Sequence, residues 1–204
     1  MTVDTLEVGI GMTNCYLLSI NGKAIVIDPG DDADRIKELI ENRAVKVEKI
    51  ILTHGHIDHI YGLTDIRKYT SAPVFIHQED AVMLTDAKAN LSFFHNISFT
   101  TDAADGFLDE NGIVELDTIK LKVLHTPGHT PGGISLVTDG MVFTGDALFW
   151  GSIGRSDFPR GDHELLISSI KSKLLTLPDE TKVYTGHGPQ TTIGQERQQN
   201  PWLA

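Results

Sequence analysis

Apolar and polar positions change period several times along the chain, and each change predicts an element. Thr5–Ile10 and Asn14–Ile20 alternate loosely, as strands do, and Asn21-Gly22 turns the second into Lys23–Ile27. Asp34–Glu41 instead gathers Ile36, Leu39 and Ile40 on one helical face. Val47–Thr53 is short, β-branched and bounded by charge, which marks a buried strand. Beyond it, Asp58 suits the N-cap of a helix that His59 opens and that runs through Tyr69. Ala72–His77 reads as a strand and Glu79–Asp86 as a short helix.

The second half repeats the alternation. Ile113–Leu116 and Ile119–Leu124 are strands, and Ile134–Val137 with Met141–Thr144 form a hairpin about Asp139-Gly140. Residues 147–159 are a loop, and His163–Leu175 carries Leu165, Leu166, Ile170 and Leu174 at helical spacing. Lys182–Tyr184 is the last strand and Ile193–Gln199 a short closing helix. Each half therefore delivers an aspartate from a strand end (Asp28, Asp146) and then, past a helix, a histidine from a second strand end (His54, His187). It is a weak internal repeat, with no linker or domain boundary inside it.

Candidate chemistry concentrates in Thr53-His54-Gly55-His56-Ile57-Asp58-His59. Side chains two apart on an extended chain point the same way, so His54 and His56 can converge. Neutral imidazoles with a carboxylate at a strand-to-helix turn make a cradle suited to Zn²⁺, Fe or Mn. The same letters would also serve a polar, helix-capping turn with incidental histidines. His125-Thr126-Pro127-Gly128-His129-Thr130-Pro131-Gly132 is a rigid loop able to present one histidine, and glycines on both sides of His187 let backbone approach a metal. Asn90–Phe99 fits neither period; it holds three phenylalanines and no charge. It is either an apolar loop covering the site or irregular core packing.

Composition narrows the class. At 204 residues, 40% apolar and 22% charged, the chain is expected to be one globular domain. Its formal charge of −11 counts against nucleic acid as a partner, and two divalent ions would leave it at −7. The single cysteine, Cys15, excludes an internal disulfide and suits a small buried residue in a reducing compartment. There is no cationic n-region and no apolar run of about 20 residues, so neither a signal peptide nor a membrane partner is expected. The expected location is cytoplasmic.

Thr-His-x-His-x-Asp-His, with the later Thr-Pro-Gly-His-Thr-Pro-Gly and Thr-Gly-His-Gly-Pro pieces in order, resembles the metallo-β-lactamase superfamily, and within it the small glyoxalase II-like hydrolases. The resemblance implies an α/β fold, the four-layer αββα sandwich, over residues 1–204, without the C-terminal helical domain that supplies cations for glutathione in larger glyoxalase II enzymes. It implies one ion held by His54, His56 and His129, a second by Asp58, His59 and His187, and Asp146 bridging both. Asp28, in a Val-Ile-Asp-Pro-Gly turn, would support the metal loop. The ions would be divalent, zinc first and iron or manganese as alternatives.

The activity so implied is hydrolysis of a small-molecule thioester such as S-D-lactoylglutathione by a metal-activated hydroxide, which Asp58 would assist. Thiolate leaves readily, so no strong general acid is required. Arg155, in Gly-Arg-Ser-Asp-Phe-Pro, would pair with a substrate carboxylate or, equally, with a loop aspartate such as Asp157. The same stretch occurs in persulfide dioxygenases, which hold one Fe(II) through residues matching His54, His129 and Asp146. A non-catalytic metal-binding module is the remaining alternative. The sequence sets no oligomeric state.

Overall fold

The computed structural model describes residues 1–9 and 11–204. Ile10, the expected end of the first strand, lies outside the described residues. The chain forms two compact units, Met1–Leu108 with Glu115–Ile119, and Asp109–Val114 with Lys120–Ala204.

In the first unit, strands β1 (Thr2–Val8), β2 (Thr13–Ile20), β3 (Lys23–Ile27), β4 (Lys46–Ile51), β5 (Val74–Ile76) and β6 (Gly106–Phe107) line up in chain order. β1 to β3 pair antiparallel and β3 to β6 parallel. Helix α1 (Ala33–Arg43) crosses between β3 and β4, and its Ile36 and Ile40 pack with Val26, Val47, Ile50 and Leu52. Burying each such side chain contributes about 1.5–3 kcal/mol. The alternate positions Tyr16, Leu18, Ile25, Ile27 and Ile51 are buried as well. A sheet buried on both faces reads as apolar runs rather than strict alternation, which is the pattern of β2 to β4.

The expected helix from His59 through Tyr69 is two pieces, α2 (Ile57–Ile60) and α3 (Leu63–Thr70), separated at Tyr61-Gly62. Gly62 lies close to the backbone oxygens of Pro29 and Asp31, where a Cβ would be crowded at 3.0 and 3.2 Å. His56, in extended conformation, takes the N-cap position expected of Asp58. Asp58 is already helical, and its carboxylate turns instead towards Thr13, whose hydroxyl donates to Oδ2 at 3.3 Å. The short helix expected over Glu79–Asp86 is a 3₁₀ helix, Gln78–Leu84, and a 3₁₀ turn, Ser92–His95, lies in the segment of no set period.

The second unit repeats the central arrangement. Strands β8 (Ile119–His125), β9 (Ile134–Thr138) and β10 (Met141–Gly145) pair antiparallel, after β7 (Ile113–Leu116). A short hairpin follows, β11 (Leu148–Phe149) with β12 (Ser152–Ile153). Helix α4 (His163–Ser169), continued by a wider turn to Leu174, leads to β13 (Lys182–Thr185), parallel to β10. Asp162 caps α4, its carboxylate accepting the Leu165 N–H at 2.9 Å. β14 (Thr191–Thr192) and α5 (Ile193–Gln199) close the chain. Leu166, Ile170 and Leu174 pack with Val142, Val183 and Ile193.

Candidate metal centre

Within the first unit, the ligand turn sits at the carboxyl end of β4, beside the carboxyl end of β3 that carries Asp28. This strand-end position is the usual place for sites in sheets with parallel strands. Asp28 is 1% exposed. Its Oδ1 accepts the Thr53 N–H at 2.7 Å and its Oδ2 the Thr53 hydroxyl at 2.6 Å, while His59 Nδ1 lies 3.0 Å from Oδ2. A carboxylate only accepts, so His59 carries its proton on Nδ1 and offers Nε2 to a metal ion. The Thr53 proton is committed to Asp28, so the 3.2 Å contact to His54 Nδ1 again places the proton on Nδ1.

His54, His56 and His59 are buried and close, with ring centroids 4.8 Å (His54–His56) and 4.1 Å (His54–His59) apart. Three imidazoles this near one another cannot readily all be protonated. Asp58 Oδ2 stands 3.6 Å from His59 Nε2. That exceeds a good hydrogen bond, and it is near the roughly 3.3 Å expected between two donors around one tetrahedral ion.

The second unit has its own set. Asp146, just past β10, places Oδ2 3.5 Å from Nε2 of both His129 and His187. One carboxylate oxygen between two imidazole nitrogens at that spacing suits a carboxylate shared by two ions. His129 Nδ1 meets the carbonyl of Arg155 at 2.5 Å, which fixes its proton on Nδ1 too. Two glycines make room here: a Cβ at Gly186 would lie 2.0 Å from Asp146 Oδ1, and one at Gly154 would lie 1.8 Å from the Asp146 carbonyl oxygen.

By donor chemistry, then, both units fit a metal, with neutral imidazoles whose tautomer is set by a second partner, and carboxylates at donor–donor spacing. Arg155, the expected substrate anchor, holds Asp157 with Nε and Nη2 at 2.9 Å each and lies 4.3 Å over the Phe158 ring. The loop-aspartate pairing is the one formed, and the guanidinium stays two-thirds exposed. What the sequence did not reveal is the role of its carbonyl on His129, since backbone groups carry no residue signature. Thr13 and Thr53 were missed as well, although Thr53 directly precedes the motif.

Three other histidines have local partners. His77 Nδ1 accepts the Glu79 N–H, His125 Nε2 meets the Pro131 carbonyl at 2.8 Å, and His163 Nδ1 meets the Ser156 hydroxyl at 3.0 Å. Cys15 is 3% exposed; burial, and then the charge of Asp28, push its thiol far above the usual range. Among the described residues no helix is long and apolar enough to cross a membrane.

Residues 8–187 match the family model of the metallo-β-lactamase superfamily. The chain belongs to that superfamily, whose members are metal-dependent hydrolases that bind two metal ions. Among curated relatives, it is 39% identical to a probable metallo-hydrolase, YqgX, of Bacillus subtilis, over 97% of this chain and 95% of the relative. It is 37% identical to the hydroxyacylglutathione hydrolase GloC of Haemophilus influenzae, over 100% and 98%. Among solved structures, the BLEG-1 B3 metallo-β-lactamase superposes with a TM-score of 0.96 at 38% identity, covering 100% of both chains. TTHA1623 in a di-iron-bound form gives 0.89 at 34%, over 98% of this chain and 100% of that one. ETHE1 from Myxococcus xanthus gives 0.83 at 30%, over 98% and 84%. The mixed α/β fold is thus of the metallo-β-lactamase type.

Proposed function

We propose that the chain is a two-metal hydrolase that cleaves a small thioester of the S-D-lactoylglutathione class. His54, His56 and His129 would hold one ion, Asp58, His59 and His187 the other, and Asp146 both. The observation that carries the reading is that Nδ1 of His54, His59 and His129 each meets a protein oxygen, of Thr53, Asp28 and the Arg155 carbonyl, which leaves each Nε2 to serve as a donor. Similarity to GloC over the whole chain supports the thioester.

When bound, the ions would supply an acidified water and polarise the substrate carbonyl. Three Nε2 donors then need no deprotonation, and Asp58 and Asp146 offset part of the metal charge. Asp58, at 35% side-chain exposure, would accept a hydrogen bond from the attacking water. The leaving thiol, with an ordinary pKa near about 8.5, departs without a dedicated acid. Arg155, steadied by Asp157 and Phe158, would meet a carboxylate at the substrate's outer end.

A second reading is a single-iron persulfide dioxygenase using His54, His129 and Asp146. The 3.5 Å approach of His129 to Asp146 is the observation that favours it. The test is metal analysis of anaerobically purified protein, with S-D-lactoylglutathione, glutathione persulfide and a β-lactam assayed in parallel. Two ions per chain with thioester turnover supports the proposal, and O₂ consumption on persulfide by a one-iron protein overturns it.

A further inference from the structure

Residues 147–155 run past three of the proposed ligands of the second unit. The stretch starts directly after Asp146. Phe149, in β11, sets its ring edge to face with that of His187, centroids 6.0 Å apart. At the far end the Arg155 carbonyl meets His129 Nδ1, and Gly154 passes so close to the Asp146 carbonyl that only glycine fits. β11 also lies against β13, the strand that leads to His187. Between these contacts stands the β11–β12 hairpin, with two residues in each strand. A two-stranded piece of that size does not hold its own shape in water, so its place is set by whatever grips it.

Leu148 and Ile153 anchor the base of the hairpin in the core with Val142 and Val183. The tip is gripped by α5 and the residue after it. The Gly151 N–H donates to Glu196 Oε2 at 2.9 Å, and the Asn200 amide donates both to the Ser152 carbonyl at 3.0 Å and to Glu196 Oε2 at 2.8 Å. Glu196 Oε1 accepts the Thr191 hydroxyl at 2.6 Å, which ties the same carboxylate to β14, the neighbour of β13. Glu196 is 1% exposed and Asn200 4%. Burying a carboxylate is costly unless donors replace its water, and here three uncharged donors do so. The proposed chemistry makes no use of this group; its bonds end on the hairpin, on β14 and at the end of α5.

We infer that Glu196, with Asn200, is a positioning residue for the metal site: by holding the tip of the β11–β12 hairpin it sets the placement of His187, Asp146 and the carbonyl that orients His129. The inference rests on the proposed function for the ligand roles of these residues, and it adds a buried carboxylate that acts only through the hairpin. Without that carboxylate the Gly151 N–H and the Asn200 amide lose their shared acceptor, and the tip shifts with Phe149 on it. Glutamine keeps most of the clamp. Its carbonyl oxygen can accept from Gly151 and Asn200 while its amide donates to Thr191, whose hydroxyl can also accept.

The test compares wild type with Glu196→Ala, Glu196→Gln, Phe149→Ala and Leu174→Ala, all as full chains. Zn²⁺ affinity is read by competition with a chromophoric chelator, ligand geometry by the visible absorption of the Co²⁺-loaded protein, and stability by thermal unfolding of the metal-free chain. Leu174→Ala opens a core cavity and leaves the Glu196 bonds in place, so it reports what lost stability alone does. Glu196→Ala should weaken Zn²⁺ binding about 10-fold or more and shift the Co²⁺ absorption, while Glu196→Gln stays within about threefold of wild type. Phe149→Ala should weaken binding about threefold or more. Leu174→Ala should bind as wild type does, although it unfolds at a lower temperature. Equal affinity in Glu196→Ala and wild type, or equal losses in Glu196→Ala and Leu174→Ala, would overturn the inference. Should Glu196→Ala fail to fold, Phe149→Ala decides: unchanged affinity and absorption there overturn it. Absence of thioester turnover in a wild type that binds Zn²⁺ would overturn the proposed function, while the affinity series would still decide the role of Glu196.

Discussion

Asp28 and Asp146 occupy the same place in two copies of one arrangement, strand, crossover helix, parallel strand, and do different work. Asp28 ends β3, with α1 and β4 following; Asp146 ends β10, with α4 and β13 following. Asp28 spends both oxygens on the protein, through Thr53 and His59. Asp146 holds one oxygen at donor–donor spacing from two imidazoles. The difference lies in the neighbouring strand end. Thr53 sends its hydroxyl to Asp28, whereas Thr185 sends its own to the His187 carbonyl at 2.8 Å, and Gly186 stands where a side chain would strike Asp146. One topology thus yields a carboxylate that orients a ligand and a carboxylate that can be one.

The largest break in that comparison is Asp146→Asn. If Asp146 serves both ions, metal content measured by mass spectrometry should fall for both, and activity should drop by more than the roughly 100-fold upper end seen when supporting residues are removed. Gly186→Ala probes the space left for it: a Cβ 2.0 Å from Asp146 Oδ1 must displace the carboxylate, and at 2.9 Å from the Gly145 carbonyl carbon it presses on backbone too, for about a 100-fold loss in kcat and a lowered thermal stability. Thr53→Val removes the hydroxyl bond to Asp28, leaving the backbone one, and releases the contact on His54 Nδ1. Metal affinity by competition with a chelator should weaken about 10-fold, and Thr53→Ser should restore it.

The smallest effect lies away from the metal residues. Partial burial pushes the Glu110 carboxyl up, but the Lys173 ammonium and the His125 backbone N–H outweigh it and hold the group below its ordinary value of 4.5. A lowered folded value means that the charged form favours the fold. Its contribution is complete above about pH 4.5 and is lost as pH falls through the lower folded value. Glu110→Gln should flatten the acid limb of a stability–pH curve by about 1 kcal/mol or less.

The ligand turn was legible because the residue types, order and period-two spacing of His54 and His56 all point to one cradle. Asp28, ahead of Pro29-Gly30, and Asp146, just after Gly145, could be read from strand ends punctuated by glycine or proline. Asp58 as N-cap was a misreading, because propensity for a cap cannot register that Thr13, far off in the chain, claims the carboxylate. β6, β11, β12 and β14 have two residues each, too few to show a period. The Arg155 carbonyl on His129 was invisible for another reason: every residue has a carbonyl. Asn90–Phe99 was ambiguous because its foot obeys core packing and its tip does not.

The central claim, that the chain holds two ions, is tested most directly by metal stoichiometry in wild type and Asp58→Asn, prepared anaerobically and assayed for both activities. Asp58 belongs only to the second ion in this account, and asparagine keeps its size while removing the charge. Content should fall from about two ions per chain towards one, with thioester hydrolysis lost. A wild type holding about one iron, unchanged by Asp58→Asn and consuming O₂ with persulfide, would contradict it.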